Sequence, residues 1–202
     1  HVPGWDLLLL RRFHGHVKRA NGPLLPDEVR KALGLGWGIR EGDDRLLVRV
    51  VEAPGHKTVR TDASVRLHLA ELAFAPVDEA DVSLDRHART IDSLRELGLR
   101  DPIFLIGADE FAAFGEWKDP DGVLELARLG VATRPGVTTA AFDDVLAGLS
   151  RPERVAFFEI EPLPVSSSAI RERVRTGEPI DGLVAPAVAT EIARLELREQ
   201  RG

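Results

Sequence analysis

Three serines, Ser166, Ser167 and Ser168, stand directly ahead of an apolar helical pattern, and Arg171 follows three residues after the last of them. The start of a helix exposes unpaired N–H groups and a partial positive charge, which suits an anion. Serine hydroxyls add donors, and the arginine adds a forked cation that matches phosphate oxygens. The same serines also work as plain helix caps, which needs no ligand. A second candidate is the run Ile103-Phe104-Leu105-Ile106-Gly107-Ala108-Asp109. A glycine closing a buried strand lets a flat ligand approach the backbone. Asp109 then offers acceptors to a ribose or an adenine edge, or else caps the next helix. Trp117, ten residues beyond Gly107, either stacks on an aromatic ring or anchors a turn by partial burial.

Three smaller features complete the set. His56-Lys57 follows Ala53-Pro54 at the end of an apolar run, where a lysine suits a phosphate, although exposed loop lysines are common. Thr90 reads as a helix cap or a ligand contact. His14-Gly15-His16 fits phosphate contacts, a metal or exposed loop histidines. No carboxylate or third histidine stands at matching spacing, so no protein-held metal is expected. His68, on a helical pattern, and His87, in a charged loop, are given no role.

These residues need elements to position them. Leu46 to Val51, Ile103 to Ile106, Leu129 to Ala132 and Val155 to Ile160 read as strands. Asp62 caps a helix with Val65, Leu69 and Leu72 on one face, and Thr90 caps another carrying Ile91, Leu94 and Leu97. A helical stretch follows Gly107. Arg134-Pro135-Gly136 turns the chain, a helix with Ile170 and Val174 ends at Gly177, and a last helix spans Ala187 to Leu197. Apolar strands alternating with helices predict an α/β fold with a mainly parallel sheet. Ligands in such folds lie beyond the carboxyl ends of the strands. Before Leu46 the pattern is less regular: Trp5 to Leu10 reads as a strand, Pro26 to Leu33 as a helix, and Gly34 to Asp44 as a loop.

The 202 residues fit one domain, expected to run over 1–202. Lys and Arg number 27 against 33 Asp and Glu, a net charge of −6. That balance argues against nucleic acid as a partner and leaves room for a small basic pocket. There is no cysteine, hence no disulfide framework and no thiol nucleophile. Apolar stretches fall far short of the ~20 residues that span a bilayer, and Leu7 to Leu10 is too short for a signal peptide. The expectation is a cytoplasmic protein with no membrane partner. There is no methionine and residue 1 is His, so the first residue is expected not to be the translated start.

Taken in order, these segments resemble the bacterial nicotinate-nucleotide adenylyltransferases, a group within the HIGH-motif nucleotidyltransferases. The resemblance runs from Ala53 to Leu197, about seven-tenths of the chain. It rests on Pro54-Gly55-His56-Lys57, on Arg66, on Thr90-Ile91-Asp92-Ser93-Leu94, on Gly107-Ala108-Asp109 with Trp117, on Arg134-Pro135-Gly136, and on Val165-Ser166-Ser167-Ser168-Ala169-Ile170-Arg171. The last segment marks these nucleotidyltransferases generally. Gly-x-Asp followed by Trp narrows the resemblance to the nicotinate-nucleotide enzymes.

The resemblance implies a Rossmann-like nucleotidyltransferase fold with helices on both faces of a mainly parallel sheet. It implies transfer of the adenylyl group of ATP to nicotinate mononucleotide, giving nicotinate adenine dinucleotide and pyrophosphate in NAD biosynthesis, with Mg²⁺ accompanying ATP. Carried over by position, Ser167, Ser168 and Arg171 hold the β- and γ-phosphates, and Gly107 and Asp109 contact the adenosine. Trp117 stacks on the pyridine ring, Thr90 helps to receive the nicotinate carboxylate, Lys57 and His56 bind the mononucleotide phosphate, and Arg134 lines the same pocket. His16 and His14 match the family's catalytic histidines, and a homo-oligomer is left open.

Most of the departures lie in the first part of the chain. The family opens with G-G-[ST]-F-[DN]-P-x-H-x-G-H; here the nearest stretch is Leu9-Leu10-Arg11-Arg12-Phe13-His14-Gly15-His16. Gly15-His16 matches the closing pair, but His14 stands two residues before His16, where the family spacing is three, and the Gly pair and Asp-Pro are missing. Arg11 and Arg12 at the glycine positions would obstruct backbone approach to a triphosphate. Gly55 is inserted within the Pro-His-Lys segment, and Arg86-His87-Ala88-Arg89-Thr90 is shorter than the family's loop. The abruptness of this break leads to the expectation of a reading-frame or assembly error before about Val50. The alternative is a non-catalytic nucleotide-binding homologue.

Overall fold

The computed structural model describes residues 46–53, 61–77, 80–159 and 167–199. The strand, helix and loop expected before Leu46, together with His14, His16, His56 and Lys57, lie outside the described residues.

Strand and helix alternate along the chain. The order is β1 (Leu46–Val51), α1 (Ala63–Phe74), β2 (Ala80–Asp85), α2 (Thr90–Leu97), β3 (Ile103–Gly107), α3 (Ala108–Ala112), α4 (Pro120–Leu126), β4 (Arg128–Thr133), α5 (Asp143–Ala147), β5 (Val155–Glu159), α6 (Ser167–Thr176) and α7 (Pro186–Glu199). A 3₁₀ turn at Phe114–Glu116 bridges α3 and α4. Every strand pair is parallel: β1 with β2, and β3, β4 and β5 side by side in chain order. Parallel neighbours need crossover connections, and the helices supply them. The architecture is therefore the α/β, Rossmann-like one that the strand–helix alternation and the family resemblance imply.

The larger core lies around the three-stranded sheet. Ile106, Leu129 and Val131 from the strands meet Phe111, Phe114, Val123, Leu124 and Phe142. Ile91 and Leu94 of α2 enter the same core, so α2 belongs as much to β3 and its neighbours as to β2, which precedes it. The smaller core joins Val48, Phe74 and Val77 under β1 and β2. α7 packs back on α1. Among the described residues no helix is long and apolar enough to cross a membrane.

Several local expectations need correction. β2 is a strand the apolar runs do not announce, because Asp81, Ser83 and Asp85 interrupt Val82 and Leu84. On α1, capped as expected by Asp62 through the Ser64 N–H at 2.7 Å, the fully buried residues are Ala70 and Phe74. Val65, Leu69 and Leu72 are only half-buried. α1 is apolar around much of its circumference and touches both β1–β2 and α7, so no single stripe dominates. Thr90 is not the cap of α2 but its first helical residue; the cap position falls on Arg89, which offers no side-chain bond. Ser167 and Ser168 do not precede α6 but form its first turn.

Candidate active site

The strand registers bring two of the sequence-predicted residues, Gly107 and Arg134, to one edge. Gly107 lies opposite Ala132, and Thr133 opposite Glu159. Gly107, Arg134 and the end of β5 therefore share the carboxyl edge of the three-stranded sheet, the edge at which parallel α/β folds bind ligands. Gly107 occupies the cap position of α3 with φ −82°, a conformation open to any residue. Its value is thus the missing side chain, not backbone freedom. Because Gly107 holds the cap, Asp109 does not serve as one; it sits exposed in the first turn of α3. Exposed Arg134 opens a turn closed by the Val137 N–H on its carbonyl at 3.1 Å, with Gly136 at φ 84°. α6 begins at Ser167 beyond β5 and carries Arg171 on an exposed position.

Trp117 takes the anchoring role, one of the two its sequence position left open. Its ring lies 5.2 Å from that of Phe114 and 6.3 Å, edge-on, from that of Phe104. The indole is therefore anchored on the main core yet only half-buried, which leaves part of it available for stacking.

Two ion pairs join this region to α2. Lys118 donates to both carboxylate oxygens of Asp92, at 2.9 and 3.2 Å. Arg95 donates to Asp119 at 3.0 Å. Asp119 in turn caps α4 through the Gly122 N–H at 3.0 Å, with its own φ at 57°. Thr90 lies two residues before Asp92 and Trp117 one before Lys118, so the two expected walls of a pyridine pocket stand on elements tied to each other. The hydrogen bond from Lys118, reinforced by the charges of Lys118 and Arg95, holds the Asp92 carboxyl below its ordinary value.

Sequence reasoning missed a second anchor. The Asp85 carboxylate, 3% exposed, closes β2. It accepts the His87 N–H at 2.9 Å and the Ser93 hydroxyl at 2.5 Å, with Arg49 of β1 at 3.8 Å. Arg49 also donates to Ser83 at 2.9 Å. The period-2 alternation of Val82 and Leu84 with polar neighbours was the one signal that could have revealed this strand and its terminal acid. Arg66, placed by sequence among the motif residues, donates to the Val51 and Glu52 carbonyls at 2.7 Å each and to that of Thr61 at 3.2 Å. It fixes the chain where it leaves β1 and where it enters α1. Among the described residues no three His, Asp or Glu side chains come together as a metal cage.

Comparison with known proteins places the chain in a family. A cytidylyltransferase-like family model matches residues 36–173. A probable nicotinate-nucleotide adenylyltransferase of Chromobacterium violaceum is 36% identical over 176 residues, covering 74% of this chain and 83% of the relative. Its counterpart in Prosthecochloris aestuarii is 34% identical over 174 residues, covering 78% and 85%. That of Tropheryma whipplei is 33% identical over 160 residues, covering 75% and 82%. With a parallel α/β scaffold, a polar carboxyl edge and relatives that align along most of both chains, the protein belongs to the nicotinate-nucleotide adenylyltransferases of the cytidylyltransferase-like family.

Proposed function

We propose that this chain transfers the adenylyl group of ATP to nicotinate mononucleotide, in the route to NAD, and that the carboxyl edge of its sheets divides the labour. A phosphate oxygen of the mononucleotide attacks the α-phosphorus of ATP. The bond from that phosphorus to the bridging oxygen breaks, and pyrophosphate leaves. No protein atom enters a covalent intermediate, so the protein's work is alignment and charge stabilisation. Gly107 and Asp109 take the adenosine. The start of α6, with Ser167, Ser168 and Arg171, takes the outer phosphates. Thr90 and Trp117 take the pyridine carboxylate and ring, and Arg134 lines the same pocket. His14, His16, His56 and Lys57 complete the phosphate contacts.

Mg²⁺ enters with the triphosphate. When bound it neutralises charge on the leaving pyrophosphate. A single-domain enzyme working in the cytoplasm accords with this reading.

The observation that carries the proposal is the alignment along most of both chains with relatives named probable nicotinate-nucleotide adenylyltransferases. The test is pyrophosphate release by the full chain with ATP, Mg²⁺ and nicotinate mononucleotide, beside a nicotinamide mononucleotide control. Release with the acid form is the expected result. Binding of the mononucleotide without release would identify a nucleotide-binding homologue instead.

A further inference from the structure

Asp85 belongs to none of the motif segments, yet it holds the chain on both sides of Thr90. It is the last residue of β2, and only residues 86–89 separate it from Thr90, the first of α2. Its two oxygens grip the chain on both sides of that threonine. One accepts the backbone N–H of His87, three residues before Thr90, and the other accepts the hydroxyl of Ser93, three residues after it. The carboxylate is held in turn by Arg49 from the neighbouring strand, and the Asp85 carbonyl receives the Glu52 N–H at 2.7 Å. The His87 ring also pairs with Glu96 on α2, which pins the turn a second time.

A carboxylate this buried is stable only while its partners stay in place, so its geometry is stiff in a way that exposed pairs are not. The consequence falls on Thr90. Its backbone is bracketed by two attachments to one rigid group.

We propose that Asp85 is a positioning residue for recognition of the nicotinate carboxylate: it sets the place of Thr90 by clamping the turn before it and the first turn of α2 after it. The proposal rests on the reading of Thr90 as a carboxylate contact. It concerns selectivity for the acid form of the mononucleotide and leaves the ATP side untouched.

The test is steady-state kinetics on the full chain with Asp85→Asn, Ser93→Ala, Ser93→Thr and Thr90→Val. KM is measured for each substrate, and kcat/KM is compared between nicotinate and nicotinamide mononucleotide. Asp85→Asn keeps the shape but places an amide NH₂ against one of the two donors. It should raise KM for nicotinate mononucleotide about tenfold, the size expected from losing one hydrogen bond to a charged group. KM for ATP should stay within about twofold, and the acid-over-amide preference should fall by about the same tenfold. Ser93→Ala should give about a threefold rise of the same kind, and Ser93→Thr, which keeps the hydroxyl, should restore the native value. Ser93→Ala carries the test if Asp85→Asn does not fold.

Equal rises in KM for both substrates, or a fall in melting temperature with selectivity intact, would overturn the positioning role. So would an effect of Thr90→Val that neither Asp85→Asn nor Ser93→Ala reproduces. If Thr90→Val itself leaves both KM values and the preference unchanged, the reading of Thr90 falls and the proposal falls with it.

Discussion

Beneath β3, β4 and β5, Phe111 stacks on Phe114 and meets Phe142 and Phe157 edge-on, at centroid distances of 5.4 to 5.8 Å. Beneath β1 and β2 the described residues form a smaller apolar cluster, Val48, Phe74 and Val77, and Val50 and Ala70 are buried as well. There the Asp85–Arg49–Ser93–Ser83 network supplies the definition that aromatic packing supplies elsewhere. The two halves place the proposed ligand contacts by different physics. Interlocked rings resist deformation in all directions and hold Gly107 and Trp117 on a stiff platform. A hydrogen-bonded carboxylate fixes particular atoms in particular directions and so aims a single residue, Thr90. A mutation in the first half should therefore appear mainly in stability, and one in the second mainly in selectivity.

The sharpest way to break this contrast is Phe111→Ala. The ring is fully buried among three others, so its removal should cost about 3–5 kcal/mol in urea unfolding. Molecules that stay folded should retain both KM values within about twofold. A selective loss of nicotinate mononucleotide affinity would mean that the aromatic platform also aims the pyridine pocket. Next in size is Trp117→Ala. It should weaken nicotinate mononucleotide binding by about 1–2 kcal/mol in titration calorimetry through lost stacking, and leave ATP binding alone. Equal weakening of both ligands would show that Trp117 acts only as a buried anchor.

The smallest effect belongs to the bridge between the halves. Lys118 is exposed and Asp92 half-buried at the surface, so Asp92→Asn should change affinity little, and the change should fade as salt rises. Its pH dependence has a definite sign. The folded-state value of Asp92 lies below the ordinary 3.8, so the pair's contribution is complete above that value. It is lost as pH falls through the lowered one. The difference in melting temperature between the native protein and Asp92→Asn should therefore be present at pH 7 and vanish in acid. A difference that persists in acid would assign the effect to something other than the ion pair.

Much of the platform half is legible in the amino-acid order. β3, β4 and β5 are apolar runs, the turn at Gly136 and the stop at Gly177 use positive φ as their sequence suggests, and Gly107 closes its strand. These features depend on neighbours along the chain. The other half is less legible because its determinants are distant in sequence. Arg49, Asp85 and Ser93 come from two strands and a helix, and nothing local distinguishes Asp85 from the acids around it. β2 hides behind Asp81 and Asp85 for the same reason. Thr90 looks like a cap because threonine is a good one, but the turn ahead of it is already held by Asp85, which leaves the capping role vacant. The placing of Thr90, Gly107, Asp109 and Arg134 at strand ends or helix starts follows from the α/β alternation. The ties between Asp92 and Lys118 and between Arg95 and Asp119 require the folded chain.

The cap of α4 carries a consequence for how this sequence can drift. A Cβ placed on Gly122 would stand 2.3 Å from the Asp119 carboxylate. An alanine there would otherwise favour the helix by about 1 kcal/mol. With Asp119 present, the carboxylate must swing away, giving up its bond to the Gly122 N–H and its pairing with Arg95. With Asp119 already replaced by glycine, the same alanine meets no obstacle from that side chain. The two sites are thus epistatic, and the order of substitutions decides the outcome: position 119 can change first and open position 122, whereas the reverse path runs through a strained intermediate.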